Sequence, residues 1–128
     1  MQAFSPDGIH PPFSTYSHGV VAEGAVMAIS GQLGISASGE VPEGAEAQAA
    51  LCFANIDAIL QAAGLDRFAL LRLNAYVTDR AHLPGYMAAR NAYMEGVSPP
   101  RASTLMIVSG FARPEFLVEV EALAVQPR

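Results

Sequence analysis

The sequence predicts an α+β domain in which two helices cover one face of a mixed sheet. Three observations predict it: two stretches carry apolar residues at helical spacing, several short runs alternate apolar with polar, and the two kinds interleave in the order β-β-α-β-α-β-β. At 128 residues the chain makes one domain, 1–128, and 52% hydrophobic against 15% charged residues is enough to fill a core. No internal repeat or low-complexity stretch interrupts it.

Taken in order, Met1 to Phe13 holds three prolines and a glycine and reads as an extended arm or loop. Tyr16–Val21 and Ala25–Gln32 read as a first strand pair with Glu23-Gly24 as its tight turn. Gly31 and Gly34 then flank Gln32-Leu33, so the backbone there is free to approach another group closely, although turn geometry alone would account for them. Glu46–Ala63 is the clearest helix. Ala49, Cys52, Phe53, Ile56, Ile59, Leu60 and Ala63 form its apolar stripe, Glu46 suits its N-terminal dipole, and Gly64 is placed to stop it. Cys52 falls on that stripe and reads as core rather than nucleophile.

Leu70–Val77 alternates, with Leu71, Leu73, Ala75 and Val77 on one face and Arg72, Asn74, Tyr76 and Thr78 on the other. Pro84 suits the first turn of a second helix running to about Glu95, with Leu83, Tyr86, Met87, Ala89 and Tyr93 facing the sheet and Gly96 ending it. The stretch Pro99 to Val125 reads as two more strands joined by a loop through Ser109, Gly110, Arg113 and Pro114. In the second of these, Val118, Val120, Ala122 and Ala124 share one face while Glu119, Glu121 and Leu123 share the other. In the first, Arg101, Ser103, Leu105 and Ile107 share a face. The sheet face away from the helices would then present Ser103, Leu105, Ile107 and Leu123 beside Glu119, Glu121 and Tyr76. That is too apolar for water and too mixed for a private core, so self-association is expected.

Composition excludes several chemistries. The net charge is −5, and the seven basic residues are scattered arginines, which gives no footprint for nucleic acid or an anionic membrane. With no lysine there is no side-chain Schiff base and no lysine-anchored pyridoxal cofactor; no cofactor is expected. A single cysteine excludes an intrachain disulfide and suggests a reducing compartment. His10, His18 and His82 lie in separate segments without ligand spacing, so no metal is expected. No apolar segment spans a bilayer and Met1 to His10 lacks signal-peptide features, so a cytoplasmic location is expected.

Seven motifs in order, Tyr16-Ser-His-Gly-Val20, Ile29-Ser-Gly-Gln32, Asn55, Ala75-Tyr-Val-Thr-Asp79, Arg90-Asn-Ala-Tyr93, Pro100-Arg-Ala-Ser103 and Val118-Glu-Val-Glu-Ala122, resemble the RidA/YjgF family over nearly the whole chain. The resemblance implies a chorismate-mutase-like fold assembling as a homotrimer, its sheets turned inward and its sites in clefts between subunits. It also implies hydrolysis of small 2-imino and enamine acids, such as 2-aminoacrylate, 2-iminopropanoate and 2-iminobutanoate, to 2-oxo acids and ammonia.

Carried over by motif, the family's carboxylate-binding arginine falls on Arg101. A guanidinium offers planar paired donors that match a carboxylate and keeps its charge in a cleft. Ser103 would assist through its N–H and hydroxyl, and Gly31 by close backbone approach. Glu119 matches the acidic residue that orients or deprotonates the attacking water. Tyr16 and Asn91 match residues lining the cleft, while Glu121 reads as structural. The segment between Arg101 and Glu119 is a few residues longer than in compact archetypal members and resembles another branch of the family. A trimeric binding protein sensing a small carboxylate in the same cleft is the alternative; it would need Arg101 but not Glu119.

Overall fold

The computed structural model describes residues 1–127. Its strands are β1 (Gln2–Phe4), β2 (Gly19–Val21), β3 (Ala25–Leu33), β4 (Leu70–Val77), β5 (Ala102–Ile107) and β6 (Val118–Gln126), and its helices are α1 (Ala45–Ala62) and α2 (Leu83–Tyr93). The four long strands form one mixed sheet in the order β3-β6-β4-β5, and the two helices pack together on one face of it. Among the described residues no helix is long and apolar enough to cross a membrane.

β3, β4, β5 and β6 formed where alternation places them, but of Tyr16–Val21 only Gly19–Val21 is strand, Gln2–Phe4 of the expected arm is strand as well, and two pairings differ from the expected ones. β2 does not fold back on β3; it pairs antiparallel with β1, so the N-terminal arm supplies a strand of its own, and β3 pairs with β6. The chain bends at Gly24 without making a hairpin. Likewise β5 and β6 are not neighbours. β5 lies parallel to β4 at the sheet edge, and β6 sits between β3 and β4, antiparallel to both. A parallel pair needs a crossover, and α2 is that crossover.

The strand β6 is central because both of its faces are specified. Val118, Val120, Ala122 and Ala124 are buried under α1, and the small alanines let that helix approach. α1 answers with Ala49, Cys52, Phe53, Ile56 and Leu60, all buried as the periodicity requires, and it ends at Gly64, whose φ of +74° favours glycine. Burying each large side chain of this layer contributes about 1.5–3 kcal/mol. Gln48 is the polar exception and is fully satisfied: its amide donates to the carbonyls of Pro42 and Glu115 and accepts from Leu117 N–H at 2.8 Å. It ties the entry of α1 to the entry of β6.

The open face needs a correction. Parallel register sets Ser103, Leu105 and Ile107 opposite Leu73, Ala75 and Val77, so these three lie on the helix-covered side. Thr104 and Met106 take the open side, in line with Asn74 and Tyr76. There Arg72 donates to Asn74 Oδ1 at 2.7 Å and to Thr104 Oγ1, and Tyr76 Oη donates to Glu121. Glu121 thus has a structural partner. The open face remains mixed, with Met106 and Leu123 among these polar groups.

Candidate functional site

Arg101 stands immediately before β5 and is 4% exposed. Its Nε donates to the Leu70 carbonyl at 2.6 Å, Nη1 to Pro99 at 2.6 Å and Nη2 to Phe68 at 2.8 Å. Those bonds occupy three of the five N–H donors of a guanidinium and leave one on each terminal nitrogen. No carboxylate pairs with it among the described residues. Burial lowers its pKa, yet an arginine keeps its proton, so the charge is held in place with no counterion among the described residues. Leaving a buried cation unpaired costs on the order of several kcal/mol, which an incoming anion would recover.

The loop before β2 lies along this end of the sheet, because Ser17 N–H donates to the Arg101 carbonyl at 3.2 Å. That contact brings Tyr16 alongside Ser103. Tyr16 Oη accepts from Phe13 N–H at 3.1 Å, and the ring meets His18 edge-on. Between this loop, α2 and β5 lies a cavity of about 410 Å³, lined by Tyr16, Tyr86, Met87, Arg90, Ser103 and Leu105 among others. Its size suits a small organic ligand.

Glu119 and Gly31 form a second cluster, away from the first. β6 sets Glu119 opposite Leu33 of β3 and Tyr76 of β4. A Cβ on Gly31 would lie 2.3 Å from Glu119 Oε1, so any side chain there would have to displace that carboxylate. The β3 register shifts between Ile29 and Gln32, which directs Gly31 at it. The close approach expected of Gly31 is therefore made to Glu119, while Gly34 meets the backbone of Gln48 instead. Arg101 lies level with the start of β4 and Glu119 with its end, a separation of roughly 17 Å along the strands. One chain does not bring both groups to one small molecule.

Asn91 is exposed on α2 and lines neither cluster. Its neighbour Arg90 takes the inward position, with Tyr86 one turn earlier. That pair was not singled out from the sequence, though a signal was present: 86, 89, 90 and 93 follow helical spacing, which puts an arginine on the apolar stripe of α2. Cys52 is sealed in the core, where burial first and the Glu119 charge second push its thiol up to about 12. The described residues contain no group of three metal-ligating side chains, and His18 Nε2 bonds the carbonyl of His10.

Comparison with known proteins places this architecture. The family model for endoribonuclease L-PSP matches residues 9–126. A RutC family protein of Aquifex aeolicus (strain VF5) is 41% identical over 69 residues, 53% of this chain and 54% of that protein, so the match spans about half the length of that relative. Among solved structures, YyfB of the Rid family from Yersinia pestis superposes with a TM-score of 0.85 at 32% identity, covering 98% of both chains. RidA from the Antarctic bacterium Psychrobacter sp. PAMC 21119 gives 0.73 at 28%, covering 98% of this chain and 100% of that one. YjgF of E. coli, at 24% identity and a TM-score of 0.74 over 98% and 99% of the two chains, shares the fold.

Proposed function

We propose that this chain, which belongs to the endoribonuclease L-PSP family of Rid and YjgF proteins, hydrolyses small 2-imino and enamine acids to 2-oxo acids and ammonia. The observation that carries the reading is Arg101: a buried, uncountered guanidinium, fixed by three carbonyls with one N–H left on each terminal nitrogen. A small carboxylate supplies what that environment lacks. Tyr16 and Ser103 line the cavity beside α2, next to the bond that Ser17 N–H makes to the Arg101 carbonyl.

Glu119 is the water-orienting carboxylate in this reading, and it acts on a substrate held by another copy's Arg101. The separation within one chain requires that arrangement, and the mixed open face favours association; the family resemblance makes the assembly a homotrimer with three shared clefts. In the reaction, water adds to the C=N carbon as Glu119 takes its proton. The tetrahedral carbinolamine then expels ammonia once its nitrogen is protonated, leaving the carbonyl of the 2-oxo acid. No cofactor enters. A ribonuclease reading has less support, since the net charge is −5 and both Arg90 and Arg101 are buried in the domain.

The test uses imines generated in situ by an amino-acid oxidase, with their loss followed above the spontaneous rate. Wild type accelerates it, and Glu119→Gln loses about a hundred- to ten-thousandfold in rate while keeping 2-oxo acid binding. Arg101→Lys loses both, because a point charge replaces a planar fork. No acceleration by wild type, with Arg101-dependent binding of 2-oxobutyrate intact, would establish the sensor instead.

A further inference from the structure

The cavity beside α2 contains a second cation that Arg101's role leaves unused. Arg90 is 4% exposed. Arg67, Arg72, Arg101 and Arg113 each spend donors on carbonyl or side-chain oxygens, whereas no carboxylate pairs with Arg90 among the described residues. Tyr86, one helical turn earlier and 1% exposed, has a buried hydroxyl with no hydrogen-bond partner. Burial pushes the Tyr86 pKa up to about 12, and the neighbouring Arg90 opposes that shift. Both side chains line the same cavity as Ser103. A buried cation with no carboxylate beside it among the described residues and a buried hydroxyl, both at one cavity wall, are costly for the fold and suited to an anion.

We propose that Arg90 and Tyr86 form a second carboxylate seat, so that the cleft selects dicarboxylic 2-imino and 2-oxo acids over monocarboxylic ones. This rests on Arg101 as the seat of the first carboxylate. Ser103 follows Arg101 by two residues, about 7 Å along β5, and lines the cavity with Arg90; in this proposal a ligand the size of 2-oxoglutarate or oxaloacetate lies between Arg90 and the Arg101 end of β5. Oxidation of Asp and Glu at the amine-bearing carbon yields such imines.

Calorimetry with 2-oxoglutarate, 2-oxobutyrate and glutarate tests it. In the wild type, 2-oxoglutarate binds about tenfold or more tightly than 2-oxobutyrate, as expected for a charged hydrogen-bonded pair. In Arg90→Met that ratio falls to about one, and in Tyr86→Phe it falls several-fold. Arg90→Met keeps the aliphatic volume and removes an unpaired charge, so its melting temperature without ligand stays at or above that of the wild type. A ratio near one in the wild type overturns the proposal, and so does a ratio that survives Arg90→Met; a lowered melting temperature together with a surviving ratio returns Arg90 to a structural role. The reading of Arg101 fails separately, if Arg101→Ala binds 2-oxobutyrate as the wild type does. In that event glutarate binding that is lost in Arg90→Met still upholds the second seat, and glutarate binding insensitive to it removes the seat.

Discussion

At the Arg101 end of the sheet a cation is sealed among its own chain's carbonyls; at the Glu119 end an anion lies half-exposed in space that a glycine keeps clear. The first is preorganised by bonds and the second by a missing side chain. In the proposed reaction neither suffices alone, since roughly 17 Å of β4 separates them. The difference teaches that the two halves can be broken independently: loss of a donor set at one end, intrusion of an atom at the other.

The largest expected effect comes from mixing the two breaks. Arg101→Ala and Glu119→Gln are each inactive in the imine assay. Co-refolded in equal amounts they recover activity at about a quarter of the sites, because random assembly sets an intact Arg101 against an intact Glu119 that often. No recovery would place both residues of a working site in one chain and dissolve the comparison. Next in size, Gly31→Ala displaces the Glu119 carboxylate and loses about a hundredfold in rate, while calorimetry finds 2-oxobutyrate binding retained. Loss of binding there would mean that Gly31 contacts the ligand itself.

The smallest effect lies in alkaline stability. Tyr76 is held protonated first by its bond to Glu121, whereas Tyr86 and Tyr93 are held so first by burial. A raised folded-state pKa means that the unfolded chain releases its protons first. Stability that is complete below the ordinary tyrosine value of 10.0 therefore falls as pH rises toward the value of about 12 for Tyr86. Urea midpoints at about pH 8 and about pH 11 measure it, and Tyr86→Phe removes its share, on the order of 2 kcal/mol at the alkaline limit. An unchanged midpoint in the wild type would mean that these hydroxyls are as free as in the unfolded chain.

Much of this was legible in order along the chain. The bounds of β4 agree at both ends, α1 and α2 agree within a residue or two, and the two faces of β6 were correctly divided. Residue periodicity is a local property, set by 3.6 residues per helical turn and two per strand repeat, so sequence alone determined which segments were helix and strand and which way most side chains point. The family motifs likewise lie in the sequence and located Arg101 and Glu119. Strand partners are a different matter: hydrogen-bonding edges are alike from strand to strand, so only the tertiary structure decided that β6 is central, that β1 captures β2, and that parallel register turns Ser103 toward α2. It alone decided the distance from Arg101 to Glu119 and the lack of a carboxylate beside Arg90 among the described residues, because a charge is paired or unpaired according to what surrounds it in space, and neighbours in sequence do not fix that.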